Sequence, residues 1–227
     1  TPETSPYLPA SLNNIGCGMA DRYVHTGNIS DLEGSIEAWK KAVNLTPEDS
    51  NDLPSYLGNL GSGLKDRYNL TGRLSDLEEA IETILRAVRL SPEESVSLPL
   101  VLCNLGGGLK DRYECMGNHS DLERAIEAWR KAVLLTSEDS IDFPMLLSNL
   151  GIGLLAEYNC EGNISYLDEA IEVLLKAVTL APENDTKLPN FLSNLGACFM
   201  NRYDHIKDRS DLERAIELFR RSASLSR

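Results

Sequence analysis

Four Gly-x-Gly steps, at Gly16/Gly18, Gly61/Gly63, Gly106/Gly108 and Gly151/Gly153, are the residues of this chain that most invite a chemical reading, because glycines so spaced let a backbone wrap a phosphate. No Lys-Ser/Thr pair follows any of them and no strand pattern precedes them, so close helix packing accounts for them better than a nucleotide does. His25, His119 and His205 fall in or beside turns far apart in the sequence, and no two have metal-ligand spacing. They read as surface histidines, and no metal is expected. Cys17, Cys103, Cys115, Cys160 and Cys198 contain no Cys-x-x-Cys pair, and their odd number is not that of a disulfide framework, which suits a reducing, cytoplasmic setting. Six Asn-x-Ser/Thr triplets match the glycosylation pattern, and since in three of them, Asn28-Ile29-Ser30, Asn118-His119-Ser120 and Asn163-Ile164-Ser165, a turn Asn precedes a capping Ser, the match is read as coincidence. No nucleophile with its base, metal cluster or paired-carboxylate site can be assembled, so neither catalysis nor a cofactor is expected.

A different set repeats without exception. Asn14, Asn59, Asn104, Asn149 and Asn194 stand 45 residues apart, while neighbouring positions (Ala10, Ser55, Leu100, Met145, Asn190) have diverged. A side-chain amide is both donor and acceptor and can meet a peptide unit with two bonds. The ladder is therefore expected either to hold the backbone of a bound peptide or to bond adjacent helices to each other. Two turns further on lie Asp21, Asp66, Asp111 and Asn201, a line that favours a ligand with basic or donor groups.

The elements that position these residues follow from the same period. Leu8-Pro9, Leu53-Pro54, Leu98-Pro99, Phe143-Pro144 and Leu188-Pro189 recur every 45 residues and divide the chain into repeats 8–52, 53–97, 98–142, 143–187 and 188–227, after an extension at 1–7. In the second repeat, Leu57, Leu60, Gly61, Leu64 and Tyr68 form a helical stripe, begun by Pro54 and ended near Gly72. On that helix Asn59 falls opposite the stripe. Ser75-Asp76-Leu77-Glu78 reads as a capping box worth about 1 kcal/mol for the cap, recurring at Ser30/Glu33, Ser120/Glu123, Ser210/Glu213 and, shortened, Ser165/Asp168, and Leu77, Ala80, Ile81, Ile84, Ala87 and Val88 give a second helix its buried face. Glu37/Lys41, Glu82/Arg86, Glu127/Lys131, Glu172/Lys176 and Glu217/Arg221 are spaced as i,i+4 pairs on a solvated face. Leu12, Ile15, Tyr23, Leu32, Ile36, Tyr68, Ile81, Tyr113, Ile126, Tyr158, Ile171, Tyr203 and Ile216 are expected between the layers. A hairpin with one apolar face cannot bury it alone, so the repeats must stack.

The series Leu57, Leu60, Gly61, Leu64, then Ala80, Ile84, Ala87, Leu90 and Pro92, found five times over, resembles the tetratricopeptide repeat across essentially the whole chain. The period departs from the usual value of about 34 residues, and the surplus is placed at the end of the first helix and at the junction between repeats. The Arg-Tyr, Gly-turn and Ser-Asp-Leu-Glu grammar resembles long arrays of large fungal proteins, which implies attachment to a caspase-like or nucleotide-binding effector domain. The resemblance further implies an all-α solenoid, a right-handed superhelix of five helix-turn-helix repeats with first helices lining a concave groove. It also implies that groove asparagines grip a bound peptide's backbone. The paired lysines that such domains use to clamp a C-terminal carboxylate are missing.

Composition sets the remaining limits. With 22 Lys plus Arg against 35 Asp plus Glu, the formal charge is −13, which disfavours nucleic acid as a partner. No apolar run is long enough to span a bilayer. The expected partner is a protein or peptide, with a structural, self-assembling array as the alternative. Residues 188–227 carry 7 bases and 5 acids and residues 1–52 carry 3 bases and 8 acids, so weak end-to-end association is also expected.

Overall fold

The computed structural model describes residues 5–226, so the first four residues of the 1–7 extension and Arg227 lie outside the described residues. Ten helices succeed one another as five helix–turn–helix repeats, with no strand among the described residues: α1 (Leu8–Thr26) then α2 (Ile29–Leu45), α3 (Leu53–Thr71) then α4 (Leu74–Leu90), α5 (Leu98–Met116) then α6 (His119–Leu134), α7 (Phe143–Glu161) then α8 (Ile164–Leu180), and α9 (Leu188–Ile206) then α10 (Arg209–Leu225). The long period is absorbed by 19-residue first helices and, in four of the five hairpins, 17-residue second helices.

Each hairpin turn is built from two residues. Gly27, Gly72 and Gly162 end their helices at φ 68–71°, the left-handed conformation that a Cβ disfavours, and each N–H closes on a tyrosine carbonyl one turn back. In the fifth hairpin Lys207 takes that conformation at φ 58°. The capping box expected at Ser30, Ser120, Ser165 and Ser210 is displaced by two residues. Asn28, Asn118, Asn163 and Asp208 are the N-caps, and their side-chain oxygens accept from the N–H of those serines. Both residue types cap well; the tight turn decides, because the helix must restart directly after the left-handed residue. Arg73 holds this place before α4 without a side-chain cap bond.

The chain forms two units, Thr1–Met116 with α1 to α5 and Gly117–Arg227 with α6 to α10. Within each unit the two layers interlock: Leu57 and Leu64 of α3 and Leu77, Ala80, Ile81 and Ile84 of α4 are essentially sealed from solvent. The paired glycines divide this labour. Gly61 and Gly151 lie so close to Ile84 and Leu174 of their own hairpins that a Cβ would collide, whereas Gly63 and Gly153 admit Trp39 and Trp129 of the preceding second helix, 2.7 Å from where a Cβ would stand. Leu32, Ile36, Ile81, Ile126 and Ile171 are buried as expected, and Leu12 and the five tyrosines are half-buried. Ile15 and Ile216 are instead 54% and 40% exposed. First helices pack against a preceding second helix and second helices against a following first helix, as Ile36 does at Gly63; α1 and α10 meet no such neighbour among the described residues.

Within each unit the two helix layers are unequal. First helices touch one another, α1 with α3 and α3 with α5 in one unit and α7 with α9 in the other. Second helices do not meet at backbone range and are spanned instead by long ion pairs, Lys40 to Glu79 at 2.7 Å and Arg130 to Glu169. The first-helix side of each unit is thus its tighter side.

Candidate functional site: the first-helix face and the repeat seams

On the first-helix face, Asn14 is exposed and Asn59, Asn104, Asn149 and Asn194 are half-buried. They do not all stand clear of the seams, as their position opposite the stripe suggested. Asn59 Nδ2 donates to Asn13 Oδ1 of the preceding first helix at 2.9 Å and lies 3.6 Å from Cys17 Sγ; Asn194 Nδ2 donates to Ser148 Oγ at 3.3 Å. The position that supplies those acceptors is Gly58 where α5 meets α3, so Asn104 finds no side chain there. The Oδ1 atoms of Asn59 and Asn194 accept no bond from a described residue and are not sealed. One half of each of these two amides holds a seam and the other half remains an open acceptor.

The acidic line is less uniform than its spacing suggests. Asp21 and Asp66 are exposed, whereas Asp111 is half-buried and neutralised by Lys65 at 3.3 Å. The protein around Asp66 desolvates its carboxyl and pushes its pKa up, partly offset by Lys65. Asn201 turns back on its own helix, Nδ2 donating to the Ala197 carbonyl at 2.8 Å.

The i,i+4 pairs are also redeployed. Glu37 does hold Lys41 at 2.6 Å, but Arg86 reaches Glu48 and Lys176 reaches Glu138 at 2.5 Å, each across to the preceding inter-repeat connection.

A stronger charged device was not read from the sequence. Arg22 grips buried Asp31 with two bonds of 2.7 and 2.5 Å, Arg67 grips Asp76 at 3.0 and 2.8 Å, and Arg202 grips Asp211 with both at 2.8 Å. Arg67 and Arg202 also reach back to Glu33 (3.0 Å) and Asp168 (3.1 Å) of the preceding repeat. Bidentate pairing raises the guanidinium pKa in each case, and the Arg22 bonds hold Asp31 below the ordinary carboxylate range. The fourth repeat breaks the pattern: Glu157 stands where the arginine belongs and Tyr166 where the aspartate belongs. There Glu157 Oε1 meets His119 Nε2 at 2.8 Å. The sequence did carry the signal, since arginine and aspartate nine residues apart recur in every repeat but this one, and His119 replaces the apolar Ile29, Leu74 and Ile164.

Cys198 is buried and its thiol is pushed up to about 12, which keeps it protonated and unreactive at neutral pH. No helix among the described residues is long and apolar enough to cross a membrane.

No family model and no curated protein sequence matches the chain. Solved structures do match it in fold. The nearly identical TPR-like repeats of a Podosopora anserina protein share 14% identity at a TM-score of 0.64, covering 92% of this chain and 95% of that one. A thermophilic TPR protein of Thermus thermophilus shares 15% identity at 0.62, covering 96% and 91%. The MamA protein shares 18% at 0.61, covering 97% and 96%. At such identities the likeness is one of fold, a TPR-like array of helical hairpins.

Proposed function

We propose that the chain is an interaction scaffold whose first-helix face receives an extended segment of a partner protein. The observation that carries this reading is the half-used asparagine: at Asn59 and Asn194 the amide nitrogen is fixed in a seam while the carbonyl oxygen remains an open acceptor. Neighbouring helices stand about 8–10 Å apart and an extended chain rises about 3.3 Å per residue, so one asparagine serves about every third peptide N–H. Such a ladder reads backbone and leaves specificity to the residues around it. Exposed Asp21 and Asp66 favour a segment with basic groups. Attached to a caspase-like or nucleotide-binding effector domain, as in the fungal arrays it resembles, the scaffold would act as the recognition arm of a sensor.

The test is a peptide library screened against the purified chain, followed by the triple variant Asn59→Ala, Asn104→Ala, Asn149→Ala. Bonds worth about 0.5–1.5 kcal/mol net each predict binding weaker by one to three decades. The melting temperature should fall only by the share of the seam bonds these amides make, that of Asn59 among them. A large drop in melting temperature, with no peptide captured by the wild type, would make the ladder purely structural.

A specific exposure favours self-association as a second property. Ile15 on α1 and Ile216, Phe219 and Leu225 on α10 are apolar and 37–54% exposed. Head-to-tail pairing of these faces would cover both. Sedimentation of the 227-residue chain should then show concentration-dependent growth, weakened by Ile15→Glu; a monomer at every concentration removes it.

A further inference from the structure

The fourth-repeat break gathers three metal-ligating side chains. Glu157 and Glu161 are one turn apart on α7, and His119 is the first residue of α6, held there by the Asn118 cap. One donor atom from each lies within 4.8 Å of the other two. Glu157 is only 3% exposed, and while its Oε1 meets His119, its Oε2 is sealed from solvent with no hydrogen-bond partner. A buried carboxylate oxygen without a donor is costly. The His119 contact leaves it unpaired whatever the imidazole's charge.

We propose that His119 Nε2, Glu157 and Glu161 form a binding site for a single zinc ion, with the buried Glu157 carboxylate as its anchor. One imidazole nitrogen with two carboxylates is a set that first-row metals accept, whereas calcium needs six to eight oxygens and magnesium an octahedral shell. At zinc–ligand distances of about 2.0–2.2 Å, tetrahedral donors stand about 3.3–3.6 Å apart. The 2.8 Å His119–Glu157 contact must open slightly and Glu161, which is exposed, must swing inward, both within side-chain reach. The Nε2 lone pair binds the metal, with the neutral ring's proton on Nδ1 and any imidazolium proton released to solvent. The negative potential of the site is that of Glu161 and Glu157 themselves, the carboxylates that raise the Tyr166 hydroxyl's pKa. In the other repeats a guanidinium fills this position, so the metal restores a positive charge where the chain gave up its arginine.

Zinc titrated against a chromophoric competitor at neutral pH should bind with one ion per chain. His119→Ala and Glu157→Gln should each weaken it at least tenfold, and Glu161→Gln, exposed and harmless to folding, several-fold. His25→Ala, in the other unit, should leave it unchanged, and a hundredfold excess of magnesium should not compete. Zinc X-ray absorption should show only nitrogen and oxygen neighbours near 2.0–2.2 Å. Absence of stoichiometric binding, binding indifferent to both His119→Ala and Glu161→Gln, or a sulfur shell would overturn the proposal and leave a structural His–Glu contact.

Discussion

Two glycines with the same place in the repeat and opposite surroundings give a direct measure of the seam. Gly63 faces Trp39 of the preceding second helix, whereas Gly18 has nothing within 4 Å of where a Cβ would stand. Gly63→Ala should cost about 1–3 kcal/mol by overpacking, and Gly18→Ala should stabilise by about 0.5–1 kcal/mol through helix propensity alone. Chemical denaturation of the two variants beside wild type checks the contrast; equal effects would mean that the glycines are not seam residues. Single residues were the least legible part of the sequence. A serine and an asparagine two residues apart both satisfy the rule for a cap, and only the two-residue turn selects Asn28 over Ser30. Arg22 and Asp31 escape any helical periodicity because their bond spans a helix end, a turn and a new first turn.

Elements were far more legible. Period, first-turn prolines and turn glycines placed the hairpins, since each signal has one local physical meaning. What no single hairpin can state is which charges cross to the next: Glu82 and Arg86 are ideally spaced for each other, yet Arg86 spans to Glu48. At this scale the fifth turn is the weak joint. Lys207 occupies the left-handed conformation that glycine holds in the other hairpins. Lys207→Gly should stabilise the chain by about 1 kcal/mol, read as a rise in melting temperature, although it also removes the ammonium from the Tyr203 ring 5.2 Å away. No rise would mean that this contact offsets the strain.

For the molecule as a whole, three depressed carboxylates set a direction in pH, opposed by the raised pKa of Asp66. Arg22 bonds lower the pKa of Asp31, Lys41 lowers that of Glu37, and bonds from Ser210 lower that of Asp208. A carboxylate depressed in the folded state stabilises above its unfolded value of about 4 and loses that contribution as pH falls through the folded value. Melting temperature should therefore hold from neutrality to about pH 5 and decline below about pH 4. A decline that begins above pH 6 would contradict this. The unequal helix layers carry one more consequence, a mechanical one. On one side of each unit the first helices touch one another directly, while on the other Lys40–Glu79 and Arg130–Glu169 act as ionic struts across second helices that do not touch. Charged side chains can lengthen, let go and re-form by rotating their own bonds, and dissolved salt loosens them further. Under tension each unit is therefore compliant on one flank and stiff on the other, a leaf spring whose softness is set by ionic strength.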